Sequence, residues 1–583
     1  MVVGVSVSLV YMTAHEPFSV WAPFAQDVRL RLDDEEVGMR ATSGGWWVAD
    51  RIAEPGMRYG YELFDGENWS KTLPDPRSQA QPDGVHGMSE IVDHTHDWSR
   101  GWTGRPLAGQ VIYELHVGTF TPEGTFDGVV GKLGYLRDLG VTAIELMPVQ
   151  PFGGERNWGY DGVTWHAVHE GYGGPEGLKR LVDAAHDAGI GVILDVVYNH
   201  FGPDGNYNGM FGPYTAGGST GWGEVVNISG QQSDEVRAFI LDAVRLWLDT
   251  YRIDGLRLDA VHSLDDTGAY SIMEQIQDVA DDVTARTGVP RFIIAESDMN
   301  DPRLITERDG GGYGLAGQWV DDIHHALHTV VSGERHAYYE DFGSLEALAK
   351  TLRGGFYFDG TYSSFRGRRH GRPINVDSIP AHRLVTYTTT HDQTGNRASG
   401  DRPSMNLTPA QQVLKAAVIY CSPFTPMLFM GEEYGAQTPF AFFCSHTDDN
   451  LNRLTSEGRK REFARSGWDH SEVPDPADPA TFETSKLDWD FNEEQQEIHA
   501  AYTQLLRLRR ELGLSRADLS ELLVETGDGW LAMGWDDVLL VANLSESDVV
   551  APYGGELIYS FTAPEVDLDE TRLGAWEFAL LRR

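Results

Sequence analysis

The sequence has few cysteines, little positive charge and no long apolar run. Cys421 and Cys444 are its only cysteines, which excludes a disulfide framework and leads us to expect a reducing compartment. Lys and Arg number 46 against 88 Asp and Glu, so the formal net charge is −42. Because phosphate binding requires a basic surface, nucleic acid is not expected as a partner. No apolar run approaches the roughly 18 to 20 residues of a membrane span, so no membrane partner is expected either.

Signals for targeting and for metal binding are also weak. Residues 1–11 have no basic residue ahead of their apolar stretch, so they make a poor signal peptide, and we expect a cytoplasmic location. No CxxC or HExxH spacing and no acidic calcium loop occurs. The sequence therefore predicts neither a metal nor a cofactor, and its composition fits a neutral substrate.

A chain of 583 residues is too long for one hydrophobic core, so two to four domains are expected. Alternating apolar and polar residues, interrupted by Gly, Pro and Asp, predict short strands at residues 18–23, 28–32, 46–48 and 59–63. We interpret residues 1–97 as an immunoglobulin-like β-sandwich. The turn-rich residues 74–84 are predicted to form a linker loop.

From residue 111 the pattern changes to alternating strands and helices. Strands are predicted at residues 111–116, 141–147, 190–197, 255–258, 291–296, 316–320, 384–390 and 427–430. Eight such units predict a multidomain α/β protein with a central (β/α)₈ TIM barrel over residues 98–513. Long insertions follow the second, third, sixth and eighth strands. Residues 514–583 again alternate like strands and are predicted to form a small C-terminal all-β domain.

Polar side chains occur where four of these strands end. Asp195, Asn199 and His200 lie in residues 195–200 at the end of the third strand, and Arg257 and Asp259 flank the last residue of the fourth strand. Glu296 ends the fifth strand, and the pair 391–392 follows the seventh. The carboxyl ends of barrel strands meet at one mouth, where active sites are built. A structural Arg257–Asp259 ion pair would explain one strand end, but it does not explain four.

Several carboxylates in one groove, without a metal cluster or a Ser-His pair, favour glycosyl transfer or hydrolysis. One carboxylate attacks the anomeric carbon or stabilises an oxocarbenium-like transition state, and another, kept protonated, donates a proton to the leaving oxygen. The loop after the second strand adds Trp158, Tyr160, Trp165 and Tyr172, whose rings suit the C–H faces of sugars. Ordinary surface packing is the alternative explanation for these aromatic residues.

Residues 195–200, 255–262, 296 and 391–392 resemble, in order, the four characteristic sequence regions of the α-amylase superfamily, glycoside hydrolase family 13. The resemblance implies that Asp259 is the nucleophile, that Glu296 is the general acid and then base, and that Asp392 is a third acid that holds sugar hydroxyls. It also implies substrate-binding roles for a wider set: Trp158, Tyr160, Asp161, His200, Arg257, His262, Trp319, Asp321 and His391. Arg257 is expected to orient Asp259, and Asp195 and Asn199 are expected to be scaffold.

Within the superfamily, residues 145–148, 157–162, 339–343, 371–373, 430–435 and 438–440 resemble those of the enzymes that act on malto-oligosyltrehalose. The resemblance implies hydrolysis of the α-1,4 bond beside the terminal trehalose unit, with malto-oligosyltrehalose and α-1,4-glucans as substrates. It further implies action in sequence with a malto-oligosyltrehalose synthase, without a stable complex. The loop at residues 443–446 departs from this group, because Ser445 precedes His446 where an acidic residue is usual.

Walls that select the trehalose end are expected near His262, residues 297–298 and residues 319–324. Two rival interpretations are a glycogen branching or debranching enzyme and a non-catalytic carbohydrate-binding relative. Three intact acids favour an enzyme, and analysis of the products would separate hydrolysis beside trehalose from branching and debranching.

Overall fold

The computed structural model describes residues 17–220, 222–465 and 473–583, and a closed barrel of parallel strands lies at its centre. The eight barrel strands are Ile112–Leu115, Ala143–Leu146, Gly191–Val196, Gly255–Leu258, Phe292–Ala295, Gly317–Trp319, Leu384–Tyr387 and Thr425–Phe429. Seven of them lie within the predicted ranges, and the eighth begins two residues earlier than predicted. The predicted fold class, a TIM barrel flanked by two β regions, is confirmed.

Helices alternate with these strands and cover the outside of the barrel. The longer ones are Leu133–Leu139, Gly174–Asp187, Ser233–Arg245, Ile272–Thr287, Asp321–Ser332, Leu345–Gly354, Pro409–Tyr420 and Glu493–Glu511. Two of these helical regions are irregular. Residues 126–139 form two helices, Phe126–Val130 and Leu133–Leu139, and the helix that begins at Ser233 continues into a π-helical turn, Leu246–Thr250.

The interior of the barrel is apolar at one end and charged at the other. Side chains that include Ile112, Ala143, Ile193, Phe292, Trp319, Val385 and Met427 pack together inside. Two residues further along the strands, and therefore on the same inward face, lie Glu114 beside Glu145 and Asp195 beside Arg257. The charged layer thus lies directly below the carboxyl ends of the strands, where the site is built.

Gly255 begins the fourth strand because no side chain fits there. A Cβ atom at this position would lie 2.3 Å from the ring of Phe292 on the neighbouring strand. The close approach of these two strands therefore depends on glycine, and it fixes the register that brings Leu258 beside Ala295. Asp259 and Glu296 follow these two residues directly.

The N-terminal region contains two antiparallel sheets. One is formed by Ser19–Trp21, Arg40–Ala41 and Trp46–Val48, and the other by Asp27–Leu32, Glu35–Gly38, Arg58–Phe64 and Ser89–Glu90. The Tyr61 hydroxyl donates to the Ser19 carbonyl over 3.2 Å, and the rings of Phe18 and Tyr59 are in edge contact, so the sheets share a core. Residues 1–11, on which the signal-peptide expectation rests, lie outside the described residues.

The C-terminal region is all-β, as predicted, and it contains two sheets. Five strands, Leu523–Thr526, Trp530–Gly534, Val538–Asn543, Glu556–Tyr559 and Phe578–Arg582, form the larger one. Val549–Ala551, Glu565–Val566 and Thr571–Leu573 form the smaller one. The domain limits at residues 97 and 513 remain predictions.

Three elements within the insertions were not predicted. Thr215–Ser219 pairs with Glu224–Val226, and Asp359–Ser363 pairs with Arg368–Gly371, in two hairpins. Asp449–Arg465 forms a helix in the insertion after the eighth strand.

Both cysteines are buried and free, and no helix among the described residues is long and apolar enough to cross a membrane.

Candidate active site

The three acids predicted from the sequence line one cleft at the mouth of the barrel. Asp259 and Glu296 directly follow the fourth and fifth strands, and Asp392 lies in the short helix His391–Gly395 after the seventh. The cleft has a volume of about 830 Å³. Tyr160, Trp158, His200, His262 and His391 also line it.

Arg257 lies beneath Asp259 and is fully buried. Its Nη1 donates to both carboxylate oxygens of Asp195, at 3.0 and 2.9 Å, and to Oδ1 of Asp259 at 2.8 Å. Its guanidinium carbon lies 4.2 Å from the centre of the Trp319 ring. Burial alone would lower the pKa of Arg257, but Asp195, Tyr160 and Asp259 raise it well above its usual value. Arg257 therefore stays charged and supports Asp259 from below.

Asp259 is held on both of its oxygens. Oδ1 accepts from Arg257, and Oδ2 accepts from Nδ2 of Asn199 over 2.8 Å. The same Asn199 amide donates to the Asp259 carbonyl over 2.9 Å. Both donors fix the orientation of the carboxylate, as a nucleophile requires.

Glu296 has a different environment. One carboxyl oxygen accepts the backbone N–H of Ala260, a residue in the left-handed region with φ of 41°. The nearest guanidinium nitrogen of Arg257 is 3.8 Å away. Burial raises the pKa of Glu296, Arg257 opposes this effect, and the charges of Asp259 and Asp392 add to it, which brings the value to about 8. A carboxyl that is protonated at neutral pH can act as a general acid.

Tyr160 and His391 form the floor of the cleft beside the acids. The Tyr160 hydroxyl is 2.6 Å from Oδ2 of Asp195 and 2.9 Å from Nε2 of His391, and the two rings stack with centres 5.2 Å apart. His200 is bonded to the Asn199 side chain and to the Tyr160 carbonyl, at 2.6 and 2.9 Å. Asp195 and Asn199 therefore contact residues that line the cleft, and their role as scaffold stays a prediction.

Trp158 supports the floor from the side. Its ring stacks on Phe440 and meets the edge of His391, and its N–H donates to the Ala441 carbonyl over 3.0 Å. Asp161 accepts a hydrogen bond from Asn157 over 2.5 Å and does not line the cleft.

Trp319 and Asp321 also lie behind the cleft wall. Trp319 is buried inside the barrel under Arg257. Asp321 accepts from the Tyr387 hydroxyl over 2.6 Å and from the Gln393 amide over 3.0 Å. Trp319, Asp321 and Asp161 do not line the cleft in this structure. Their direct contact with a sugar stays a prediction.

His262 reaches the cleft, whereas the other two segments expected to form its walls do not line it. Asp298 lies 3.9 Å from Nε2 of His262 and accepts from Arg366 over 3.1 Å, so it supports the wall from outside. Much of the wall comes instead from residues that the sequence did not single out: Trp222, His336, Ala337, Tyr338, Phe365, Asn396, Phe442, Arg459 and Phe463. Several of these residues are aromatic, and this is the signal in the sequence that could have indicated them.

The unusual loop at 443–446 has a structural role that its sequence did not reveal. The Ser445 hydroxyl accepts the backbone N–H groups of Glu155 and Arg156, at 2.9 and 2.8 Å. Gly154 lies so close that a Cβ atom there would be 1.8 Å from the Ser445 carbonyl oxygen. Ser445 thus ties this loop to the loop that carries Trp158. In the described ranges, no group of three or more His, Cys, Asp or Glu is arranged to hold a metal ion.

Comparison with known proteins gives two domain matches. The sequence model of the α-amylase catalytic domain matches residues 73–209, and that of a domain of unknown function, DUF3459, matches residues 521–580. A solved α-amylase-type structure from Salmonella typhimurium is 37% identical, with a TM-score of 0.88 over 97% of both chains. A pullulanase from Anoxybacillus sp. LM18-11 is 19% identical with a TM-score of 0.71, over 98% of this chain and 86% of that one, which indicates the shared fold alone.

Several full-length relatives carry one name, malto-oligosyltrehalose trehalohydrolase. The protein from Mycobacterium tuberculosis is 48% identical over 97% of this chain and 99% of its own length. The protein from Rhizobium sp. is 51% identical over 95% of both chains, and the one from Saccharolobus solfataricus is 41% identical over 93% of both. A glycogen branching enzyme from Pseudomonas fluorescens is 30% identical but matches only 54% of this chain and 49% of its own length.

Proposed function

The chain belongs to the malto-oligosyltrehalose trehalohydrolase family of the α-amylase superfamily, and we propose that it hydrolyses the α-1,4-glucosidic bond next to the terminal trehalose unit of malto-oligosyltrehalose. The products are trehalose and a malto-oligosaccharide. The family assignment supports this activity over that of a branching or debranching enzyme, because the near-full-length relatives carry one name, whereas the branching enzyme matches only about half of the chain. The three acids in one cleft support an enzyme over a carbohydrate-binding relative.

The reaction follows the two-step mechanism of retaining glycosidases. Asp259 attacks the anomeric carbon while Glu296 donates its proton to the oxygen of the leaving trehalose. Glu296 then removes a proton from water, which attacks the glycosyl ester and restores Asp259. Asp392, which projects into the cleft with 43% of its side chain exposed, holds hydroxyls of the sugar at the cleaved bond. This mechanism requires the Asp259 and Glu296 carboxyls to be roughly 5 to 5.5 Å apart.

One observation carries these roles: the two carboxyl groups occupy opposite environments. Asp259 accepts a charge-assisted hydrogen bond from Arg257 and an amide hydrogen bond from Asn199, which together fix its orientation. Burial and nearby carboxylates raise the pKa of Glu296 to about 8, which favours its protonated form. Two carboxyl groups in such different environments can supply a nucleophile and an acid at the same pH.

Selectivity for the bond beside trehalose must come from the leaving-group side of the cleft. The α,α-1,1 link of trehalose bends the chain and removes its reducing end, whereas the triad itself can act on any α-1,4 bond. Walls built for that bend would stabilise the transition state only when trehalose is the leaving group. We assign this selection to His262 and to the aromatic wall, the cleft-lining residues between Trp222 and Phe463 that the sequence did not single out.

A competition experiment tests the proposed function. Equal concentrations of malto-oligosyltrehalose and of a linear malto-oligosaccharide of the same length are incubated with the enzyme, and trehalose and reducing sugar are measured. The expected result is a much larger specificity constant for the trehalose-ended chain. Comparable constants, or products with new α-1,6 links, would overturn it. The substrate is the product of a malto-oligosyltrehalose synthase, and we propose that the two enzymes act in sequence without a stable complex.

A further inference from the structure

Glu114, in the first barrel strand, lies directly beneath His391. Its side chain is 1% exposed, and its two oxygens face two nitrogens of the same residue. Oε1 is bonded to the ring Nδ1 of His391, and Oε2 accepts the His391 backbone N–H over 3.1 Å. Because Oε2 accepts a backbone N–H, the geometry suits a carboxylate whose Oε1 accepts a proton from Nδ1.

The second ring nitrogen of His391 also faces an acceptor. The Tyr160 hydroxyl lies between Nε2 of His391 at 2.9 Å and Oδ2 of Asp195 at 2.6 Å. Asp195 also accepts from Arg257 on both oxygens. Tyr160 must therefore donate its one proton to Asp195, which leaves its oxygen lone pair to accept from Nε2. Both ring nitrogens of His391 then carry protons.

We propose that Glu114 is a positioning residue that keeps His391 as an imidazolium beneath the cleft. The cation orients the Tyr160 hydroxyl toward Asp195, and it lies 3.5 Å from Oδ1 of Asp392, where it holds that carboxylate in place. The hydrogen-bond chain continues from Asp195 through Arg257 to Asp259, so Glu114 stabilises one end of a buried chain whose other end is the nucleophile. This inference rests on the roles proposed above for Asp259 and Asp392.

Several charges act on His391 besides Glu114. Titratable and charged groups that act on the ring are Asp392, Asp195, Glu145, Arg257, His116 and Tyr160. Burial would lower the pKa of His391, but Asp392 and Glu114 more than offset this effect and raise the value to about 9. Arg257 opposes them. None of these other groups hydrogen-bonds to Nδ1 of the ring in the described structure, whereas Glu114 does.

Glu145 provides a matched control. It pairs with Glu114 across the first two barrel strands and is also 1% exposed. Neither of its carboxyl oxygens has a hydrogen-bond partner in the part of the chain that the structure describes. Burial and the charge of Glu114 raise the pKa of Glu145 well above its usual value, which favours its protonated form. Replacing Glu145 by Gln therefore breaks no hydrogen bond among the described residues.

The test compares Glu114→Gln with Glu145→Gln over a range of pH. Gln keeps the size of Glu114 but removes its charge, so the pKa of His391 should fall toward the ordinary value of about 6.5 or lower. At pH 8 we expect kcat/KM of Glu114→Gln to fall about 10- to 100-fold, and at pH 5.5 to recover to within several-fold of the unmodified enzyme. The alkaline fall should begin roughly one to two pH units lower than in the unmodified enzyme. Glu145→Gln should keep the unmodified profile.

The direction of the pKa change determines on which side of the pH profile activity is lost. His391 is needed as a cation, and a lower pKa removes the cation as pH rises, so the loss must appear on the alkaline side. An unchanged pH profile in Glu114→Gln would overturn the proposal, as would an equal fall at every pH in both variants. If Glu114→Gln does not fold, as judged by its thermal transition, Glu114→Asp serves instead. Aspartate keeps the charge, so it should lower kcat/KM without moving the alkaline limb, and a moved limb would overturn the proposal.

The same measurements can use a linear malto-oligosaccharide. The pH profile then reports on Glu114 and His391 whether or not the unmodified enzyme prefers the trehalose-ended chain. A failed competition experiment would thus reject the proposed substrate and leave this inference open to its own test.

Discussion

Arg257 donates a 2.8 Å hydrogen bond to Asp259, although the Arg257 side chain is fully buried and Asp259 lines the open cleft. The same guanidinium nitrogen also binds Asp195. A buried cation shared by two carboxylates both orients the nucleophile and is itself stabilised by them, so catalysis and folding depend on one residue.

Replacing Arg257 by Met should destabilise the protein by about 3 to 5 kcal/mol, because it leaves the buried Asp195 without its cation. The measurement is the shift of the urea-unfolding transition at pH 7. The exposed Arg461→Met is the matched control and should change stability by less than about 0.5 kcal/mol. Adding Asp195→Asn to Arg257→Met should restore part of the loss, and no restoration would contradict this account of the ion pair.

Replacing Asp259 by Asn should lower kcat by several orders of magnitude without affecting folding, because an amide cannot form the glycosyl ester. Single-turnover and steady-state rates with malto-oligosyltrehalose measure the effect. Asp265→Asn, a neighbouring change at an exposed position, should leave the rate unchanged. Near-normal turnover in pure Asp259→Asn would reject the assignment of the nucleophile.

The activity should fall on the alkaline side with an apparent pKa of about 8, the value for Glu296. Glu296 must be protonated to act as the acid, so kcat/KM is retained below this pH and falls about tenfold per unit above it. A pH profile of kcat/KM at constant ionic strength measures the limb. The variant Glu296→Gln should lose this limb together with most of its activity; a variant that kept both would mean that another group is the acid.

Gly255→Ala should destabilise the protein by about 1 to 3 kcal/mol, since the added methyl group would overlap the Phe292 ring. Shortening the partner, in Gly255→Ala with Phe292→Leu, should recover part of the loss in the urea-unfolding transition. Gly134→Ala is the control: it lies in a helix, a Cβ atom there meets nothing within 4 Å, and it should stabilise the protein by up to about 1 kcal/mol. Equal effects of the two single changes would contradict the packing argument.

The sequence predicts the barrel and the three acids well because both follow from local patterns. A buried strand is visible in a short apolar run, and the topology of a closed barrel then brings its last residue to the mouth. Asp259 and Glu296 follow strand ends and lie where this reasoning puts them. The strand pattern places Asp259 and Asp392 near Glu296, but burial is a larger cause of its raised pKa than either of their charges.

The aromatic wall could not be predicted in the same way. Trp222 lies in a hairpin, and Arg459 and Phe463 lie on a helix, in insertions that have no strand-helix pattern. Their positions depend on long-range contacts, such as the hydrogen bond of 2.6 Å from Arg459 to the Gly395 carbonyl. For Trp319 the sequence predicts the strand but not the direction of the side chain. Its ring packs inward beneath Arg257 rather than into the cleft.

The two buried cysteines give the protein a pair of internal reporters. Cys421 ends a barrel helix, and Cys444 lies in the loop that Ser445 ties to the cleft. Burial raises the pKa of each thiol to about 12, so neither reacts with a thiol reagent until its surroundings open. The rate at which each is labelled therefore measures the opening of its own region. Substrate bound in the cleft should slow the labelling of Cys444 more than that of Cys421, which would separate motion of the cleft loop from unfolding of the barrel.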